Sequence, residues 1–221
     1  MATYLVTGIN RGIGRALVEA LLARGDTVIG TTRDGTAPIS HPDLTVIGCD
    51  VTDTASVRAA AAQVDLPIDV LIHNAGVFGP RPQELESLAP DNFLDVLDVN
   101  MVGPWRVLQA FLPHLRRAGQ AKVLMISSGM GRFSGASDGA PAYRASKAGL
   151  NKLVQSFAHD LARDGIAIIA CHPGWVRTDM GGAGAQIEAS ESAAGLIGLA
   201  DHLSLSGTGR FMDWTGHVRD W

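Results

Sequence analysis

Tyr4-Leu5-Val6-Thr7-Gly8-Ile9-Asn10-Arg11-Gly12-Ile13-Gly14-Arg15-Ala16-Leu17 starts as an apolar strand, breaks into a glycine turn and continues as a helix. The order of those three parts decides how the rest of the chain is read. Glycines at Gly8, Gly12 and Gly14 allow a tight turn and a close backbone approach, and the helix start offers N–H donors with no partner inside the helix. A pyrophosphate satisfies such donors, so the segment predicts nucleotide binding through Gly8, Asn10, Arg11, Gly12, Ile13 and Gly14. An ordinary strand-to-helix connection is the competing reading of any lone glycine turn.

Working outward, the same rhythm recurs almost to the end. Residues 4–7, 27–31, 44–49, 70–73, 122–127 and 166–172 read as strands, and 12–24, 54–63, 100–117 and 142–163 as helices. The strands are apolar on both faces, as when helices cover both sides of a parallel sheet. This predicts an α/β fold: a doubly wound Rossmann-type parallel sheet with helices on both faces, built as one domain over residues 1–221. Pro104 and Pro113 fall inside the third helical segment, which is therefore expected to kink or end early. The Gly-rich stretch 173–189 reads as a substrate loop and 128–141 as a second working loop.

Composition narrows the function classes. The chain of 221 residues is 46% apolar and only 5% aromatic, with 26 glycines, which favours close helix-to-sheet packing over an aromatic-rich sandwich. A net charge of -4 without a basic block argues against nucleic acid as a partner. Cys49 and Cys171 each close an apolar run, with no metal-ligand spacing around them, so they read as buried, reduced thiols and no metal is expected. No apolar run reaches membrane-spanning length, and no targeting segment precedes the first strand. The expected location is the cytoplasm.

The end of the second strand should face an adenosine ribose. An acidic residue there selects NAD, but this chain has Thr31, Thr32 and Arg33 before Asp34. Arg33 suits a 2'-phosphate, with Arg11 as a second cation, so NADP(H) is favoured; Asp34 keeps NAD open. Solvated surface charge is the alternative reading of either arginine.

Tyr143-Arg144-Ala145-Ser146-Lys147 carries the chemistry. The chain has two tyrosines and three lysines, and one of each stands here four apart, on one face of a helix. A cation so placed can stabilise a tyrosinate, which makes Tyr143 a candidate general acid. Taken alone, the pair reads equally as a half-buried Tyr beside a solvated Lys.

Thr7 to Gly14, His73-Asn74-Ala75-Gly76, Asn100, Ser128 and Tyr143 to Lys147 together resemble the short-chain dehydrogenase/reductase family, whose motifs occur in this order. Ile126-Ser127-Ser128-Gly129 and His172-Pro173-Gly174-Trp175-Val176-Arg177-Thr178-Asp179-Met180 look like the branch containing C-factor signalling proteins and Sniffer-like carbonyl reductases. The resemblance implies a compact oxidoreductase using NADPH to reduce an aldehyde or ketone, reversibly, to an alcohol. It implies that Tyr143 gives the proton, and that Lys147 lowers the Tyr143 pKa and holds the nicotinamide ribose. Ser128 would bind the carbonyl, and Asn100 a water leading from Lys147 to solvent. Asp50 and Val51 would border the adenine and Asn74, Ala75 and Gly76 the cofactor's middle. Pro173, Gly174, Val176 and Thr178 would line the nicotinamide end.

Two departures stand out. The family's first Asn of NNAG is His73 here, and the interval from Ser128 to Tyr143 is longer than usual, with Ser137, Asp138 and Gly139 as the excess. Those residues form a surface bulge or displace Ser128. The short connection after Met180 implies an open pocket for small or varied carbonyl compounds. A nucleotide-binding signalling protein of the C-factor type, with little turnover, is the alternative function. Apolar outer faces on the helices from Asn100 and Ala142 are compatible with a homo-oligomer, dimer or tetramer.

Overall fold

The computed structural model describes residues 1–134 and 139–221, so Ser137 and Asp138 of the suspected bulge lie outside the described residues. Its strands are β1 (Thr3–Thr7), β2 (Thr27–Thr32), β3 (Leu44–Gly48), β4 (Val70–His73), β5 (Lys122–Ile126), β6 (Ala167–His172), β7 (Phe211–Asp213) and β8 (Val218–Arg219). They form one sheet in the order β3-β2-β1-β4-β5-β6-β7-β8, parallel except for β8. The helices are α1 (Gly12–Ala23), α2 (Thr54–Ala62), α3 (Pro90–Leu97), α4 (Gly103–Ala118), α5 (Pro141–Arg163) and α6 (Ala189–His202). The doubly wound Rossmann-type architecture expected from the sequence is what forms.

Strand alternation sorts the core into two layers. Leu5, Leu71, Val123, Met125 and Ile168 face α2, α4 and α5, whereas Tyr4, Val6, Ile72, Leu124 and Ile169 face α1 and α6. Because neighbours along a central strand enter different layers, those strands must be apolar throughout. Each fully buried Leu, Ile or Phe contributes about 1.5–3 kcal/mol to holding the layers together. On α5 the buried stripe runs through Tyr143, Lys147, Leu150, Val154, Ala158 and Leu161. The periodicity that seats this helix on the sheet therefore also carries Tyr143 and Lys147 to the sheet's edge.

The third helical segment departs from expectation. Residues Asp98–Val102 form a π-type turn, α4 begins at Gly103, and Pro104 sits harmlessly in its first turn. The helix does not end early: it continues through Pro113 to Ala118. Pro113 and Gln109, whose carbonyl the proline leaves unpaired, are both exposed, so water can take the freed acceptor.

The elements the sequence did not reveal are α3, α6, β7 and β8. In α6, Gly195 is needed for close approach, since a Cβ there would lie 2.3 Å from the Trp214 carbonyl oxygen. Among the described residues no helix is long and apolar enough to cross a membrane. Cys49 and Cys171 are buried and free, as expected, and burial pushes the Cys49 thiol up to about 11.

Candidate active site

A groove of about 750 Å³ runs along the carboxyl ends of the parallel strands. One wall is the glycine turn. Gly8 has φ +72° and Gly12 φ +54°, a region that L side chains avoid, and the Gly8 N–H donates to the Thr31 carbonyl at 2.8 Å. Arg11 stands at the helix N-cap without a side-chain cap, so the first N–H groups of α1 are left for whatever occupies the groove.

The turn is held from across the sheet. The Thr7 hydroxyl accepts the N–H groups of Asn74 (3.1 Å) and Ala75 (3.0 Å), and the Asn74 amide donates to the carbonyls of Thr7 and Gly8 at 3.1 and 3.0 Å. Gly14 sits behind this clasp. A Cβ on it would meet the Gly8 carbonyl oxygen at 2.1 Å and Asn74 Nδ2 at 2.6 Å.

Gly8, Asn10, Arg11, Gly12, Ile13, Thr32, Arg33, Asp50, Val51, Asn74, Ala75, Gly76, Tyr143, Lys147, Pro173 and Thr178 all line the groove. Gly14, Gly174 and Val176 do not. Gly14 is packed behind the turn; Gly174 has φ +88° and would bring a Cβ within 2.4 Å of Ile187; Val176 is buried where it bridges to Ile187. These three shape the walls from behind.

At the β2 end, Arg33 is 78% exposed and lies 3.8 Å from Asp50. The Asp34 carboxylate is turned onto its own loop, accepting from the Thr32 hydroxyl at 3.2 Å and the Thr36 N–H at 3.1 Å; these hydrogen bonds, Thr36 first, hold its pKa below the usual range. Asp50 is held down likewise, chiefly by the Thr52 hydroxyl at 2.7 Å. Arg11 pairs with Asp179 at 2.6 Å, with both side chains over 70% exposed. Such a pair is worth about 0–1 kcal/mol, so a ligand phosphate can displace it.

Tyr143 and Lys147 line the other end; Ser128 and Asn100, buried like them, do not line the groove and sit behind that pair. Lys147 Nζ donates to the Ile126 carbonyl at 2.8 Å and lies 5.8 Å from the Tyr143 ring centre. Burial lowers the Lys147 pKa to about 8. Burial also raises that of Tyr143, and the opposing influence is the Ser128 hydroxyl. The Tyr143 value stands raised rather than lowered, because removing the phenolate from water outweighs the Ser128 hydrogen bond.

The residues around Ser128 are fixed before the longer interval begins. Ser128 Oγ accepts the Met130 N–H at 3.1 Å, Ser127 Oγ donates to Asn151 on α5 at 2.6 Å, and a Cβ on Gly131 would lie 2.7 Å from the Lys147 backbone. The start of this loop is thus pinned to α5. Asn100 lies in the π-type turn, a distortion frequent at functional sites. Its side chain pairs with Val77, accepting from N–H at 2.9 Å and donating to C=O at 2.8 Å, and donates also to Ser146 Oγ at 3.0 Å. His73, in place of the family's Asn, is buried with Nε2 unpartnered, and burial followed by the Lys147 charge holds its pKa near about 3.

Residues that sequence reasoning missed complete the site. Gln83, buried on the loop after β4, accepts the N–H groups of Ala142 and Tyr143 at 3.1 and 3.3 Å and donates to the Phe78 carbonyl at 2.6 Å. Phe78 stacks on Tyr143 with ring centres 4.9 Å apart, and the Arg81 guanidinium covers Phe78 at 4.2 Å while donating to the Met180 carbonyl at 3.0 Å. Trp175 is half exposed, its indole N–H donating to the Gly181 carbonyl at 2.9 Å. Arg177, paired with Glu188, and Met180 line the groove. Trp175, Arg177 and Met180 stand within the motif quoted from residues 172–180, which gave them no role of their own.

The groove thus runs from a glycine turn with free helix N–H groups to a buried Tyr-Lys pair backed by Ser128. The profile of the short chain dehydrogenase family matches residues 2–188. This chain belongs to that family.

Within the short-chain dehydrogenases, its relatives fall where the sequence motifs point. It is 40% identical over 170 residues to the C-signal of Myxococcus xanthus, a match covering 75% of this chain and 100% of that protein. It superposes with TM-score 0.91 and 34% identity on an NADPH-bound carbonyl reductase from chicken fatty liver, covering 100% of this chain and 99% of that one. With the carbonyl reductase Sniffer of Drosophila melanogaster the TM-score is 0.93 at 29% identity, and each chain is covered in full. The protein is thus an oxidoreductase of the C-factor and Sniffer-like branch.

Proposed function

We propose that this short-chain dehydrogenase reduces small aldehydes and ketones with NADPH, reversibly, and that Tyr143 supplies the proton. The observation that carries the proposal is the burial of Tyr143 and Lys147 at one end of a groove that holds Arg33 and Arg11 at the other, with the buried Ser128 hydroxyl on Tyr143. The residues fit the cofactor. The uncapped start of α1 suits the pyrophosphate, and Thr178, whose Cγ2 a Cβ on Gly12 would approach to 3.1 Å, is close enough to join it there. Arg33 suits a 2'-phosphate, and Asp34 is already engaged with Thr32 and Thr36. NADPH, when bound, supplies the hydride.

The protein's own groups handle the oxygen and the proton. The Ser128 hydroxyl, engaged with Tyr143, can turn its proton to a substrate carbonyl beside that phenol while Oγ goes on accepting from Met130. The neutral phenol, kept protonated by burial, is the form that donates as the alkoxide develops. Lys147 spends one donor on Ile126 and keeps the others for the ribose hydroxyls and for the tyrosinate left behind. Asn100 holds Val77 and Ser146, and through them the backbone on both sides of this set. In the oxidative direction the tyrosinate takes the alcohol proton.

The test is a panel of aldehydes, ketones and diketones assayed with NADPH and NADH. Tight cofactor binding without oxidation of either one would sink the proposal. Tyr143→Phe is expected to lower turnover by about 10²–10⁴-fold while leaving NADPH affinity in place. The 40% identity to the C-signal favours a second reading, a signalling protein with little turnover. Full biological activity of Tyr143→Phe in the host would select it.

A further inference from the structure

The loop that carries Ser128 is sewn to β6 on both sides of the serine. The Ser127 N–H donates to the Cys171 carbonyl at 2.7 Å, and the Gly129 N–H donates to His172 Nδ1 at 3.2 Å. The imidazole also lies against Gly129: a Cβ there would sit 3.7 Å from Nε2 and 3.8 Å from Cδ2 and Cε1. His172 is itself fixed, its carbonyl accepting the Trp214 N–H at 2.9 Å. We propose that His172 is a positioning residue for Ser128, its neutral ring accepting the Gly129 N–H and so setting the backbone from which the serine hydroxyl reaches the substrate carbonyl. This rests on the carbonyl-binding role given to Ser128 above.

An imidazole accepts at Nδ1 only while that nitrogen is unprotonated. Protonation turns it into a donor facing another donor, and the Gly129 N–H loses its partner. The surroundings favour the neutral ring. Burial disfavours the imidazolium most; Arg219 on β8 and Arg132 after β5 act in the same direction, and Asp213 on β7 opposes them. Asp213 is already engaged, with Oδ1 accepting from Thr215 and His217 and Oδ2 from Arg219 at 3.3 Å. The ring should therefore stay neutral to a lower pH than an ordinary histidine, and Ser128 should be held correctly down to that point.

The test follows the Gly129 amide by 1H–15N spectroscopy from about pH 3 to about pH 8, and kcat for a reduced carbonyl over the part of that range in which the protein stays folded. In the natural protein the Gly129 signal is expected to titrate with a midpoint below the ordinary histidine value, and kcat to fall along the same curve. His172→Asn keeps an acceptor that does not titrate, so it should retain most of kcat and flatten both curves. His172→Leu should lower kcat at least about tenfold with NADPH affinity unchanged, which a stabilising role alone would not do. A Gly129 signal that does not titrate in the natural protein, or a His172→Leu protein with undiminished kcat, overturns the inference. The amide titration decides even if His172→Leu does not fold. A titrating Gly129 in a protein that reduces no carbonyl supports the ring-to-amide coupling and sinks the reductase reading instead.

Discussion

Gln83 Oε1 accepts the backbone N–H of Tyr143 at 3.3 Å across 60 positions of chain, and that of Ala142 at 3.1 Å. It serves α5 as a remote cap, since the helix's own N-cap is Ala140, at φ 54° and with no side chain to offer. Gln83→Leu leaves buried N–H groups without acceptors, a loss of about 1–3 kcal/mol. It should also lower kcat more than it raises the KM for NADPH. Denaturant unfolding and steady-state kinetics on one preparation check both effects.

Arg33 reaches from the end of β2 beside Asp50 with most of its surface in water. Arg33→Ser should weaken NADPH binding by about 1.5–3 kcal/mol, the worth of a hydrogen bond to a charged group. Affinity for NADH should change little. Fluorescence titration with each cofactor reads the difference, and equal losses for both would count against a 2'-phosphate contact.

Burial lowers the Lys147 pKa to about 8, below the ordinary lysine value. The unfolded chain therefore binds the proton more tightly, and stability rises as the pH climbs from about 8 towards that ordinary value. Below about 8 the charged lysine is buried at full cost. Relative to Lys147→Met, the natural protein should gain stability over this window with a slope of at most about 1.36 kcal/mol per pH unit. Parallel melts of the two proteins across the window check the sign.

A methyl group at position 14 would lie 2.1 Å from the Gly8 carbonyl oxygen. Gly14→Ala should cost about 1–3 kcal/mol of stability, in the range of other overpacked sites, and should weaken both cofactors alike by displacing the turn. Thermal melts with and without NADPH separate the two effects.

What could be read from the sequence was whatever a single segment encodes. The strand, glycine turn and helix at residues 4–17 announce themselves locally, and Tyr143 and Lys147 lie on the stripe that buries α5. Gln83 and His172 escaped because their meaning lies in partners 60 and 43 positions away. The direction of the Tyr143 shift escaped for another reason: four-residue spacing reports a neighbour's charge, whereas burial is set by Phe78 and the rest of the fold. In α6, Gly195 serves the close approach of Trp214, so a residue that weakens the helical pattern is there for tertiary packing.

The clasp of Asn74 on the carbonyls of Thr7 and Gly8 spans 67 and 66 positions. No local turn signal can substitute for it, so the glycine turn stays unshaped until β4 has docked beside β1, and a long loop must close first. During synthesis the opening strand leaves the ribosome well before the residues that finish it. The glycine turn is therefore not competent when it is made, and a nucleotide met before β4 docks finds no site to fill.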